Sequence, residues 1–291
     1  MKLGIDIGGT DVKFAVLEDY KIIHKSKIPS TKESAEKLIN EICAEASEIL
    51  EKYPYESIGI GTAGSVIDGL VYAGNLPFKN YLVASEIEKR MCKKTAIDND
   101  ANCAAYGEFL GGKGYNNMVL LTLGTGIGGG IIIDNKLCRG NGCIGEFGHM
   151  IVNTKEERIC ACGERGCWEQ YASVSALVRQ AEIAAEKNPD SYLASLQKEN
   201  GKLNGKLIFD ALDNACPVAE DVFDKYLDWL AVGIKSIKMI LGTDAIILSG
   251  GITKQGNKIL EPLKDKLNSD INVEISVLGD DAGVYGAANL L

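Results

Sequence analysis

KLGIDIGGTDVKFAVLEDYKIIHKSKI, residues Lys2 to Ile28, reads as three β-strands. Leu3 to Ile7 is an apolar run, Gly8, Gly9 and Thr10 make a turn, and Val12 to Leu17 returns. After a second turn at Glu18 to Tyr20, Lys21 to Ile28 follows, so the three strands form an antiparallel meander. Ser34 to Lys52 carries apolar residues at Leu38, Ile42, Ala46, Ile49 and Leu50, a helical period, and Ser57 to Gly61 is a short apolar strand. Ser85 to Lys93 and Ala101 to Leu110 are expected helices on either side of a strand at Thr95 to Asp98. The first part of the chain is thus a mixed sheet with crossover helices.

The pattern then restarts. Met118 to Leu123, Gly130 to Asp134 and Lys136 to Cys138 are strands around the turn LGTGIGGG, Leu123 to Gly130. Both halves open with an apolar strand, a Gly/Thr turn and another strand, which implies two homologous domains facing each other across a cleft that holds the ligand. Ser173 to Lys187, Lys206 to Asn214 and Val218 to Leu241 are expected helices, and Ala245 to Leu248 is a strand ended by Ser249-Gly250-Gly251. A helix at Asn257 to Leu267, a strand at Val273 to Val277 and a helix at Ala282 to Leu290 complete the chain. The expected division is residues 1–115 against 116–279, with the segment from about 280 to 291 returning to the first domain.

Composition narrows the function. The net charge of −9 argues against a general nucleic-acid or anionic-membrane surface, which needs clustered Lys and Arg, and favours small-molecule chemistry. Gly114 to Ile133 carries no charge and is about long enough to span a bilayer, but its six glycines and polar start make it strand and turn. Nine cysteines without a recognisable signal peptide indicate a reducing compartment, the cytoplasm.

Asp6-Ile7-Gly8-Gly9-Thr10 places a carboxylate at a strand end and then two residues without Cβ, so that backbone N–H groups can approach a phosphate, with Lys13 adding charge. Gly124-Thr125-Gly126-Ile127-Gly128-Gly129-Gly130 repeats the device. One glycine turn in a hairpin is commonplace. Two in equivalent positions point to a bound polyphosphate. The second also satisfies G-x-G-x-x-G, but it leads into a strand where the dinucleotide fingerprint needs a helix, and the G-x-x-x-x-G-K-[ST] motif is absent. Asp98-Asn99-Asp100-Ala101-Asn102 lies where a strand gives way to a helix, so one of these side chains caps the helix. Capping does not account for so many polar groups at a strand's carboxyl end, where open α/β sheets bind ligands. Asp100 is the candidate base for phosphoryl transfer to a hydroxyl. Asn99, Glu146, His149 and Glu169 are candidates to hydrogen-bond a polyol.

Between Ile144 and Gln170, His149, Cys160, Cys162 and Cys167 supply one imidazole and three thiolates, the Cys3His set of a closed, structural zinc site. Gly163 and Gly166 permit the tight turn that brings the last two cysteines together. The competing reading is three buried or disulfide-bonded cysteines beside an unrelated histidine. The chain has only two histidines, and the ligand count favours zinc. The metal's task is then to hold the backbone that carries Glu146 and Glu169.

These motifs resemble the ROK family of sugar kinases and sugar-responsive repressors, within the actin-like ATPase superfamily. The resemblance covers nearly the whole chain: DIGGT at Asp6 to Thr10, Asn99-Asp100, LGTGIGGG, Glu146-Phe147-Gly148-His149, and Cys160 to Glu169 as CACGERGCWE. It implies an α/β fold of two actin-like ATPase (RNase H-like) domains around a central cleft. It also implies a homodimer using Mg·ATP, with structural Zn2+. Asp6, Gly8, Gly9, Thr10, Lys13, Gly124, Thr125 and Gly126 would face the nucleotide phosphates, and Gly250 and Gly251 the adenosine. Asn75, Asn99, Asp100, Glu146, His149 and Glu169 would face the sugar. The chain departs from the family at Ala63-Gly64, where many members have Pro-Gly, and at Phe78 to Tyr81, where many have a Trp; both flank the expected sugar site. Asp11 is an unusual carboxylate beside a phosphate loop. The implied reaction is phosphorylation of a hexose, glucose to glucose 6-phosphate first, with N-acetylmannosamine, fructose, allose or a β-glucoside as alternatives. A repressor would carry an N-terminal helix-turn-helix, for which the strand at Leu3 leaves no room. A non-catalytic sugar sensor would not need Asp100 and both phosphate loops intact.

Overall fold

The computed structural model of the protein describes residues 1–141, 144–155 and 158–291. These divide into two compact units, residues 1–120, 129–145 and 276–291 in the first, and 121–128 and 146–275 in the second.

β1 (Lys2–Ile7), β2 (Asp11–Glu18) and β3 (Lys21–Pro29) form the antiparallel meander that the alternation at Lys2 to Ile28 dictates. α1 (Ala35–Lys52) starts at Ser34, whose hydroxyl accepts the Lys37 N–H, and its stripe of Leu38, Ile39, Ile42, Ala46 and Ile49 is buried with Leu3, Ile5, Ile7 and Phe14 of the sheet. β4 (Ser57–Thr62) pairs parallel with β1. β5 (Ser65–Ile67), β6 (Leu70–Tyr72) and β7 (Lys79–Tyr81) form a small separate sheet absent from the sequence reading. α2 (Val83–Met91), β8 (Lys94–Asn99, parallel to β4) and α3 (Asp100–Gly111) follow. The sheet order is β3-β2-β1-β4-β8.

β9 (Met118–Leu123), β10 (Ile127–Ile133) and β11 (Lys136–Cys138) are the strands around the second glycine turn. α4 (Glu169–Ala172), α5 (Val174–Lys187), α6 (Tyr192–Asn200), α7 (Gly205–Asp213) and α8 (Pro217–Leu241) then precede β12 (Ala245–Ser249), α9 (Asn257–Asp265), β13 (Val273–Ile275) and α10 (Ala282–Ala288). The order β11-β10-β9-β12-β13 repeats that of the first sheet, strand for strand.

α10 packs on β1, β4 and α3 within the first unit. Glycines make that packing possible. A methyl on Gly59 would lie 1.7 Å from the Ala287 carbonyl oxygen, and one on Gly286 would lie 1.8 Å from that of Cys103. Backbone meets backbone, so neither clash can be relieved by a rotamer change. Gly59→Ala is therefore expected to destabilise the protein by about 1–3 kcal/mol or more through overpacking. The measurement is the denaturant midpoint at unchanged slope; a shift worth less than about 0.5 kcal/mol would mean that α10 does not seat on β4 as described.

Candidate functional site

In the first unit, β1 ends by delivering Asp6 to the glycine turn. The Gly8 N–H donates to the Asp11 carbonyl at 3.0 Å, which closes the turn. Burial pushes the Asp6 carboxyl above its ordinary value, with Lys13, its Nζ 3.7 Å away, pulling the other way. Lys13 also donates to the Asp280 carbonyl at 3.2 Å. Asn75 lies over the same turn, its Nδ2 2.7 Å from where a Cβ of Gly9 would be. Any side chain at Gly9 would displace Asn75. Asp11 pairs with Lys27 of β3 at 3.7 Å, so its carboxylate has a partner on the neighbouring strand. Phe78 is fully buried and stacks on Tyr81 with ring centroids 5.8 Å apart.

β8 runs straight into α3, and Asn99 is the cap. Its Oδ1 accepts the N–H groups of Ala101 at 2.8 Å and Asn102 at 3.2 Å, and its Nδ2 donates to the Gly64 carbonyl at 2.8 Å. Asp100, the first residue of α3, is half-buried, and its Oδ1 accepts the Ala101 N–H at 2.8 Å. Both polar residues are thus locked to the start of one helix.

In the second unit, the turn after β9 is held by the Gly124 N–H to the Gly126 carbonyl at 3.1 Å and by the Val174 N–H to the Gly124 carbonyl at 2.9 Å. Gly250, after β12, has φ +109°, and a Cβ there would fall 2.3 Å from the Leu123 carbonyl oxygen. Only glycine allows that approach. As a result Gly124, Thr125 and Gly251 line one cavity of about 730 Å³, closed by Arg179 of α5, Asn204 and Phe209. The volume falls within the ordinary range of ligand pockets, about 300–1,000 Å³. The sequence reading placed both helices, α5 and α7, but gave their side chains no part in a site. Their single local signal was Asn204, which caps α7 by accepting the Leu207 N–H at 3.0 Å.

The cysteine-rich segment of the same unit is folded by its glycines. Gly163 has φ +94° and Gly166 φ +77°, and the latter passes so close to Asn153 that a Cβ would lie 1.9 Å from its carbonyl oxygen. The ligand atoms of His149, Cys160, Cys162 and Cys167 all lie within 4.8 Å of one another, the one such cluster among the described residues. Cys162 Sγ is 3.5 Å from Cys167 Sγ, and Cys160 Sγ is 3.7 Å from His149 Nδ1. Sulfurs around a tetrahedral zinc at about 2.3 Å stand about 3.8 Å apart, so the donor set fits that ion in both chemistry and spacing. Without a metal, burial raises the Cys160 thiol and pushes Cys167 up to about 12, while a hydrogen bond from the Glu164 backbone lowers Cys162.

His149 turns its other nitrogen, Nε2, toward Glu146, 3.9 Å away. Glu169 accepts from Cys160 Sγ at 3.0 Å through Oε1, and its Oε2 lies 2.5 Å from where a Cβ of Gly126 would be. The expected polyol and phosphate groups of this unit therefore adjoin one another. Trp168 anchors the segment from behind: it is fully buried, its Nε1 donates to the Trp229 carbonyl at 2.7 Å, and a Cβ on Gly233 of α8 would collide with its ring. Trp229 itself packs on Tyr171, ring centroids 4.4 Å apart.

Two sheets of one strand order, each with a glycine turn between its leading strands, are the two domains of the actin-like ATPase fold. The ROK family model matches residues 2–291, and the chain belongs to that family. It is 34% identical to a glucokinase of Streptomyces coelicolor, over 100% of this chain and 97% of that one. It is 33% identical to an N-acetylmannosamine kinase of Vibrio cholerae, over 98% and 97%. The crystal structure of a ROK family glucokinase from Streptomyces griseus in complex with glucose and AMPPNP superposes with a TM-score of 0.86 at 35% identity, covering 99% of this chain and 98% of that one.

Proposed function

We propose that the protein is an ATP-dependent hexose kinase whose first substrate is glucose, converted to glucose 6-phosphate. The observation that carries this reading is the full-length likeness to a glucokinase solved with glucose and AMPPNP, together with the presence here of each group the reaction needs. Asp100 takes the role of base: it orients the attacking hydroxyl and accepts its proton as the phosphorus–oxygen bond forms. Asn75, Asn99, Glu146, His149 and Glu169 hold the other hydroxyls. Asn99 has used one amide N–H on Gly64, so it offers the second. Backbone N–H groups and charge for the phosphates are assigned to Asp6, Gly8, Gly9, Thr10, Lys13, Gly124, Thr125 and Gly126. Gly250 and Gly251 border the adenosine, which the 730 Å³ cavity would take. Mg2+, an oxygen-seeking cation, would be carried by the nucleotide's phosphates and would supply charge neutralisation there.

Zn2+ held by His149, Cys160, Cys162 and Cys167 is structural in this reading, since four protein ligands leave no open position. It leaves His149 Nε2 as a donor to the sugar. The proposal extends to a homodimer, implied by the family resemblance, and to a cytoplasmic location, supported by the nine cysteines. No helix among the described residues is long and apolar enough to cross a membrane.

N-acetylmannosamine is the second reading, favoured by the relative from Vibrio cholerae, whose identity is nearly that of the glucokinases. One experiment separates the two and tests the class. ADP release is coupled to a spectroscopic readout over a panel of hexoses and N-acetylhexosamines. The expected result is sugar-dependent turnover of at least about 1 s⁻¹, highest with glucose. Binding of sugars without turnover would leave a sensor, and a preference for N-acetylmannosamine would transfer the assignment to that sugar.

A further inference from the structure

Asp98, two residues before the proposed base, has a side chain only 7% exposed. Its Oδ1 accepts the Asn99 backbone N–H at 2.8 Å and Asn102 Nδ2 at 2.8 Å, and its Oδ2 accepts Arg139 Nε at 2.6 Å. One bond therefore holds the N–H of Asn99, the residue before Asp100, the second a side chain in the first turn of α3, and the third an arginine just past β11. All belong to the first unit.

Two details show that the charge on Asp98 decides the local arrangement. Asn102 is 4% exposed, and its Oδ1 has no hydrogen-bond partner among the described residues, although it borders a cavity of about 360 Å³. An unpaired buried amide oxygen is costly. It is tolerated because turning the amide over would set that oxygen against the Asp98 carboxylate. The second detail is Arg139, whose side chain is 54% exposed except where Nε reaches Asp98. A carboxylate held away from water needs a counter-charge, and the guanidinium supplies it.

We infer that Arg139 is a positioning residue for the phosphoryl-transfer step, acting through Asp98 on the direction of the Asp100 carboxylate. Arg139 balances Asp98, Asp98 holds the Asn99 N–H and the Asn102 amide, and these set the first turn of α3 on which Asp100 rides. The inference rests on the reading of Asp100 as base. A displacement of the base by an ångström is enough to cost about 100-fold in rate while leaving the sugar's other hydrogen bonds in place.

The test is steady-state kinetics on the full chain with its best sugar. Arg139→Gln is expected to lower kcat by about 10- to 100-fold, with KM for sugar and for ATP within about threefold. Arg139→Lys keeps the charge but not the directed Nε–H, and should recover most of the rate, to within about three- to tenfold of the parent. Asp98→Asn should lose as much as Arg139→Gln, and the double variant should be no worse than the poorer single one, because both break one chain of contacts. A parental kcat in Arg139→Gln, losses that multiply in the double variant, or a rise in KM alone would overturn the inference. Should Arg139→Gln not fold, Arg139→Lys decides: a kcat loss of at least threefold at unchanged KM supports the inference, and a parental kcat overturns it. Asp100→Asn, measured alongside, keeps the two readings apart: a full rate there removes the base assignment, whereas a slow Asp100→Asn beside a fast Arg139→Gln removes only the role of Arg139.

Discussion

Asp100→Asn is expected to lower kcat by roughly 10²- to 10⁴-fold, the usual worth of a positioned base, while sugar affinity changes far less. The substitution keeps the size of the side chain and the oxygen that accepts the Ala101 N–H. It removes the negative charge and, with it, the ability to take a proton. Helix α3 should be barely affected, because its cap is Asn99, which accepts two N–H groups by itself. The contrast is Glu146→Gln or Glu169→Gln, where charged acceptors for hydroxyls are lost and KM for the sugar should rise first. The check is a kcat and KM pair for each variant plus its thermal midpoint. A near-full kcat in Asp100→Asn, or a loss explained by unfolding, would make Asp100 a helix-start residue and nothing more.

The second large effect concerns the metal. Purified protein should carry about one zinc per chain by elemental analysis, from the one closed ligand set among the described residues. Structural zinc contributes about 10–16 kcal/mol of apparent binding free energy in small zinc-finger peptides, so its removal should loosen the whole segment from His149 to Cys167. Glu169 lies two residues past Cys167, so its carboxylate loses its place when the cluster opens. Cys162→Ser or prolonged chelation should raise KM for the sugar by at least about tenfold, and Mg2+, an oxygen-seeking ion, should not restore it. Less than a tenth of an equivalent of zinc in folded, active protein would reject the site.

The meander and the crossovers were legible because their burial is one-sided and periodic. Leu38, Ile42, Ala46 and Ile49 recur at helical spacing and do lie on one buried face of α1. The repeated strand–turn–strand pattern likewise foretold two sheets of one order. The small β5-β6-β7 sheet was not legible: its strands are three residues each, and most of their side chains stay in solvent. α6 escaped because it buries only Leu193 and Leu196, too few to set a period. Among the candidate site residues, those on glycine turns or cysteine spacings declared themselves, since each type answers a geometric or ligand requirement. The walls of the 730 Å³ cavity did not. Arg179 comes from α5, and Asn204 and Phe209 from the cap and body of α7, and nothing in a helical period says what its polar face will border. Arg139 was also silent, because its significance lies wholly in Asp98, distant in sequence.

Trp168 and Trp229 are the only two indoles in the sequence, and both lie in the second unit. Trp168 is buried against Gly233 beside Cys167, and Trp229, half-buried, packs on Tyr171. Emission excited selectively at tryptophan is therefore a report on the second unit, whereas tyrosine emission also arises in the first. A melt followed by tryptophan emission would track the metal-bearing unit and carry no indole signal from the unit that holds Asp6 and Asp100. Loss of zinc would register as a spectral change at Trp168 while circular dichroism still recorded intact secondary structure elsewhere. The chain thus comes with a built-in, one-sided optical probe, and agreement or disagreement between its two melting curves measures whether the units unfold together.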